Sequence, residues 1–273
     1  MTRLQVDLDA PVVEVPDARL RRLRALNAVM GVLHLVSGTL MLVLGDTSVT
    51  LPTSTFAAGG PPGTPLSEGT LEPFASVPIA LGTAAFMYLS ALFHLIIAAP
   101  GGFGFYASEL RRGRNRLRWV EYSLSATLMI LLIAMVTGIS DVAALVAIGF
   151  ANASMILFGW IMEMVNTPDG DRWWTPFWFG CIAGAGPWVA IVAVLAINLS
   201  IDGAERPPTF VYGIILTIFL LFNCFAVNQW LQYRGVGRWS DYVFGEVVYV
   251  VLSLVAKSAL AWQIFANTLI PPE

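Results

Sequence analysis

VVYVVLSLVAKSALAWQIF, residues 247–265, decides how the rest of the chain is read. It is an apolar run with one charge, Lys257, near its middle. Lys257 is the only lysine; every other basic residue is an arginine. A lysine at the centre of an apolar helix costs several kcal/mol unless something neutralises or uses it. A buried lysine amine gives up its charge readily and is then a good Schiff-base nucleophile. The remaining sequence must therefore supply a partner for Lys257.

The chain has 273 residues, 57% hydrophobic and 12% charged. A soluble domain carries about 25% charged residues, so the composition describes a polytopic membrane protein in a lipid bilayer. A mild net charge of −3 suggests no nucleic-acid partner. Cys181 and Cys224 fall inside apolar stretches; they form no disulfide framework or metal spacing and read as small core residues. RLRRLR at 19–24 resembles the start of a signal peptide. The apolar run behind it has no small-x-small cleavage site and reads as a retained helix. There is no Walker loop, HExxH or nucleophile elbow, so no enzyme is indicated.

Seven apolar spans can be cut out, at roughly 25–44, 74–99, 117–138, 142–165, 177–199, 209–233 and 241–268. Each is long enough to cross a hydrocarbon core of about 30 Å as a helix, the form that satisfies its own backbone in lipid. The arginines orient them. Arg3, Arg19, Arg21, Arg22, Arg24, Arg111, Arg112, Arg114, Arg116, Arg118, Arg172, Arg234 and Arg238 share one side, and Arg206 alone is on the other. The positive-inside rule predicts a cell-membrane protein with its N-terminus in the cytoplasm and its C-terminus outside. The connection 45–73 alternates early and then carries a Gly/Pro cluster; a β-ribbon and an ordered coil both fit it. The first 17 residues read as poorly ordered or lying on the surface.

Ionisable groups within the spans are few: His34, His94, Glu121, Glu163 and Glu246 besides Lys257. Asp141 and Asp241 stand at helix starts, where a carboxylate caps the helix dipole. Glu121, early in the third span, is the best anion for Lys257; its other reading is an interfacial carboxylate paired with Arg118. Ser253, one turn before Lys257 on the same face, offers a hydroxyl where a second carboxylate would have stood. Glu246 lies eleven residues before Lys257 on the same face, about 16 Å nearer the cytoplasm. It suits either proton traffic or an interface carboxylate bonded to Arg238. His34 and His94, at similar depth on adjacent helices, suggest a water-linked polar cluster with Glu246. On the extracellular side of Lys257 the polar residues are neutral, so the titratable groups lie on one side only.

Seven helices, a lysine in the seventh and a glutamate early in the third resemble the microbial-type rhodopsins. RWVEYSLSAT (118–127) and SLVAKSALAWQIF (253–265), with the cytoplasmic N-terminus, resemble the heliorhodopsins more closely. The resemblance implies an all-α, seven-transmembrane-helix bundle forming one retinal-binding domain over 1–273. It implies all-trans retinal on Lys257 as a protonated Schiff base, with Glu121 as counterion. It places Tyr122, Ser125 and Ser253 near the Schiff base, Phe222 against the polyene, and Asn152 and Met155 on the ring side. It matches His34 and His94 to the family's cytoplasmic histidine pair. It makes the first outside loop a ribbon that packs across a homodimer. Leu132 stands where proton pumps usually keep a donor carboxylate.

Two functions follow as expectations. One is a light sensor without net ion pumping that signals through its cytoplasmic loops (100–116, 166–176, 234–240) to an unidentified partner. The alternative is a light-gated or light-driven proton transporter. In a third reading, Lys257 is a structural or substrate-binding cation in a membrane protein without retinal.

Overall fold

The computed structural model describes residues 13–166, 171–203 and 205–270. Its elements run α1 (Asp17–Leu44), β1 (Thr50–Ala57), β2 (Thr70–Pro78), α2 (Ile79–Ala98), α3 (Pro100–Arg111), α4 (Arg116–Val136), α5 (Val142–Val165), α6 (Thr175–Ser200), α7 (Thr209–Arg234) and α8 (Tyr242–Ile264). A π-helical turn, Phe265–Leu269, continues α8. Among the described residues seven helices are long and apolar enough to cross a membrane; α3 is not one of them. The protein is a multi-pass membrane protein built as a helical bundle.

Four details differ from the sequence expectation. The first helix begins at Asp17 rather than 25, because RLRRLR continues it with Leu20 and Leu23 buried. The expectation for the first 17 residues falls largely on 1–12, outside the described residues. The second helix begins at Ile79 rather than 74, because FASVP belongs to β2 and Pro78 precedes the first helical turn. The 100–116 connection contains α3, which Pro100 starts at a position needing no N–H. Cys181 and Cys224 are exposed rather than packed in the core. Apolar sequence cannot separate the two locations, because lipid is as apolar as a core.

The 45–73 connection is a ribbon. β1 pairs antiparallel with β2, with one irregularity between Thr53 and Ser54 that leaves Phe74 unmatched. The Ser54 amide donates to the Ser140 carbonyl at 2.9 Å, which ties the ribbon to the α4–α5 turn.

The main core packs Met41, Phe86, Met87, Met129, Ile133, Ile191, Ile218, Leu260 and Ile264. Helices in lipid associate by close packing and interhelical polar contacts. Gly31 lets α1 approach α2 closely: a Cβ there would stand 2.9 Å from the Leu95 side chain and 3.3 Å from His94 Cβ. Asn115, Asp141 and Asp241 cap α4, α5 and α8, each side chain accepting from a first-turn amide.

Candidate functional site

Lys257 is 3% exposed in the middle of α8. Its Nζ donates to Glu121 Oε1 at 2.9 Å and to Ser253 Oγ at 2.7 Å. Ser253 reaches it because four residues make one helical turn. Ser90 Oγ on α2 donates to the same Glu121 oxygen at 2.6 Å. The Tyr122 ring centroid is 5.0 Å from Nζ, and the Tyr122 hydroxyl donates to the Tyr249 carbonyl at 2.8 Å. The amine and the carboxylate are thus a buried ion pair with hydroxyl support, the arrangement a desolvated pair requires. Glu121 is not paired with Arg118; the two side chains, three residues apart on α4, point to different partners.

Lys257 lines a cavity of about 680 Å³. That lies within the roughly 300–1,000 Å³ of pockets that enclose a small organic ligand. Its wall includes Tyr122, Met155, Trp188, Phe219, Phe222 and Phe225. Trp188 meets Phe219 and Phe222 edge to face at 5.2 and 5.9 Å. Ser253 and Met155 line it as well, but Ser125 and Asn152 do not. Ser125 is fully buried with its hydroxyl unpartnered, and Asn152 donates its amide to Thr127 Oγ1 at 3.1 Å, tying α5 to α4. A mostly apolar chamber with one buried amine fits a long apolar molecule carrying a carbonyl.

Gly184 on α6 shapes this chamber. A Cβ there would meet Met155 Sδ at 2.3 Å and Cγ at 3.0 Å. Gly184→Ala should push Met155 into the cavity and cost about 1–3 kcal/mol, the usual range for overpacking. Thermal unfolding of the purified protein should show the drop, and Gly184→Ala/Met155→Ala should recover most of it.

A second polar group lies toward the arginine-rich end. Arg118 pairs through Nη1 with Glu246 and through Nη2 with Glu163 Oε1 at 2.7 Å. Trp119 Nε1, Tyr242 and the Asn115 amide donate to Glu163 at 2.5, 2.9 and 2.8 Å. Asn115 Nδ2 and the Tyr106 hydroxyl donate to Glu246 Oε1 at 2.6 and 3.2 Å. The guanidinium also stacks over Tyr249 at 4.1 Å and Trp119 at 4.7 Å. Burial, and next the Glu246 carboxylate, push the Tyr106 phenol well above its ordinary range, so it remains a donor. Glu246 is therefore held by Arg118, while Arg238 stacks on Phe244 at 4.4 Å.

His34 and His94 stack with centroids 5.5 Å apart and rings 8° from parallel. His94 Nδ1 shares a 2.7 Å hydrogen bond with Asn27 Oδ1, whereas neither His34 ring nitrogen has a partner. His94, Glu121, Glu246, Asn27 and Arg118 line a cavity of about 20 Å³. That is room for one water, since a water needs about 10–15 Å³. The three residues expected as one cluster are therefore arranged in series: His34 beside His94, and Glu246 across the small cavity from it.

Ser90, Asn27 and Tyr106 were not anticipated from sequence. Ser90 precedes His94 by one turn and so shares its face, a spacing that was readable. Tyr106 could not be found without knowing that 100–111 is a helix.

A family profile described as heliorhodopsin matches residues 23–269. No curated protein matches the chain. Among solved structures, a light-driven proton pump from Leptosphaeria maculans is 15% identical over 93% of this chain and 97% of its own, with a TM-score of 0.61. A thermophilic rhodopsin is 15% identical over 93% and 95%, TM-score 0.63. The transmembrane domain and linker of Salpingoeca rosetta rhodopsin phosphodiesterase is 13% identical over 90% and 79%, TM-score 0.62. At these identities the likeness establishes the fold alone. The family profile covers most of the chain, and the chain belongs to the heliorhodopsin family, seven-helix membrane proteins with a retinal chromophore.

Proposed function

We propose that this protein is a light-sensing photoreceptor that holds all-trans retinal on Lys257, uses Glu121 as its single counterion and pumps no ion. The observation that carries this reading is that Lys257 lines the apolar cavity and its Nζ has Glu121 as partner carboxylate. Bound there through an imine, retinal supplies absorption of visible light and the shape change that follows. Tyr122, Trp188, Phe219 and Phe222 would supply apolar contacts to it along the chamber wall. Ser90 and Ser253 fix Glu121 and Nζ relative to each other.

A proton leaving Nζ has Glu121 Oε1 within hydrogen-bond distance. The water-sized cavity shared by Glu121, His94 and Glu246 then offers it a resting place on the arginine-rich side. On the other side of Lys257 the neighbouring core is Leu260, Ala261 and Ile264, with Met41 and Ile79. A proton held on one side returns to its origin, so the cycle stores a conformation rather than a gradient. The signal then passes to an unidentified cytoplasmic partner through the connections at that end. The arginine asymmetry supports a cytoplasmic N-terminus and an extracellular C-terminus. Leu66, Leu71 and Phe74 on the ribbon connection are 78%, 69% and 68% exposed, which supports a homodimer packed through that ribbon.

The same polar cavity is the observation that favours the alternative, a light-gated or light-driven proton transporter. Illumination of cells expressing the retinal-loaded protein separates the two. The sensor gives a flat pH trace from pigmented cells. An uncoupler-sensitive pH change would overturn it in favour of transport.

A further inference from the structure

We propose that the arginine-rich end of the bundle carries a binding site for anionic phospholipid headgroups, formed by Arg21 and Arg22 of α1 and Arg112 at the end of α3. The site is built on α3, which leaves α2 after Ala98 and rejoins α4 at Arg116. Both its neighbours are membrane-spanning helices, so both its ends sit at one membrane boundary and the helix lies along it. Its inner face, Phe103, Tyr106, Ala107 and Leu110, packs with Leu20, Leu23, Ile97 and Val243. Its outer face, Gly101, Gly104, Phe105, Ser108 and Arg112, is exposed. One apolar face on the bundle and one mixed face outward is the pattern of an interfacial helix.

This surface is fixed in place. The Tyr106 hydroxyl binds Glu246 of α8. The Arg111 carbonyl accepts from the Val13 amide, and Arg111 pairs with Asp17 at 3.2 Å, which sets the end of α3 against the first turn of α1. The neighbouring cations are already engaged. Arg114 and Arg116 share Glu109, Arg19 pairs with Asp241, and Arg24 bonds the Ala98 carbonyl and stacks on Phe103 at 5.0 Å. Among the described residues, Arg21, Arg22 and Arg112 are exposed and take part in none of these pairs.

Their position names the occupant. Arg21 and Arg22 end an exposed ridge that runs down α1 through Ala25, Val29, Val32 and Val36. That ridge faces lipid chains, so the guanidinium groups at its end stand at headgroup depth. Phe105, 41% exposed with Arg116 stacked on it at 5.1 Å, gives α3 an apolar anchor in the same boundary layer. Guanidinium groups bind phosphate through paired hydrogen bonds.

The test uses the full-length protein in phosphatidylcholine bilayers containing spin-labelled phosphatidylglycerol or spin-labelled phosphatidylcholine. Each arginine near an anionic surface is worth about a fivefold preference at most, so roughly a threefold or greater enrichment of phosphatidylglycerol at the protein is expected. Arg21→Gln/Arg22→Gln/Arg112→Gln should bring it close to one, and Arg206→Gln should leave it unchanged. Equal immobilisation of the two lipids, or an enrichment that survives the triple substitution, would overturn the proposal. Equal immobilisation would leave the arginines to an acidic protein. Loss of the enrichment on adding inorganic phosphate at constant ionic strength would also overturn it, naming free phosphate as the ligand. None of these readouts depends on light or on retinal.

Discussion

Lys257→Ala protein forms no visible pigment when all-trans retinal is added, and the retinal keeps the spectrum of the free aldehyde. The expected loss is complete, because the chain contains no other lysine and this one lines the cavity. The substitution also strands Glu121, which is 3% exposed and then lacks its cation. Removing one member of a buried pair typically costs about 3–5 kcal/mol, so the single variant is also expected to be less stable. Lys257→Ala/Glu121→Gln removes both charges and should regain much of that stability while still failing to form pigment. Absorption spectra measure the first effect and thermal unfolding the second. A visible pigment in either variant would place the attachment point elsewhere.

Glu121→Gln has the next largest effect. It leaves a positive charge at a buried Nζ whose remaining acceptors, the Ser253 hydroxyl and the new amide oxygen, are neutral. A buried cation without an anion neutralises rather than stay charged. The pigment of Glu121→Gln is therefore expected to absorb in the near ultraviolet at neutral pH, and to bleach at lower temperature by an amount in keeping with about 3–5 kcal/mol. Glu121→Asp keeps the charge and should retain a visible band. Spectra of the three proteins, recorded side by side, check this. An unchanged visible band in Glu121→Gln would mean that another group, such as Glu246 across the small cavity, supplies the anion.

The parts of this structure that were legible in the sequence are those where burial is costly. Lys257 and Glu121 stand out because charges within apolar runs are rare, and helical spacing alone places Ser253 one turn below the lysine. The seven spans follow from length and apolarity. Where cost was low, the sequence was less informative. FASVP reads as apolar whether it is strand or helix, so the start of α2 could be set only by β1 pairing with it. PGGFGFYASELR has two faces, but its glycines hide the helical pattern. The cysteines were misplaced because lipid-facing and core-facing positions have the same composition. The partners of Arg118 depend on three helices meeting, α4, α5 and α8, and no local pattern records that meeting.

The central claim is that light changes the state of Lys257 without moving ions across the membrane. Current under voltage clamp, recorded from cells expressing the retinal-loaded protein, tests it most directly, because it detects a passive flux too small to change bulk pH. The account predicts no sustained light-induced current at any holding potential. A sustained current, above all one whose reversal potential follows the proton gradient, would contradict it.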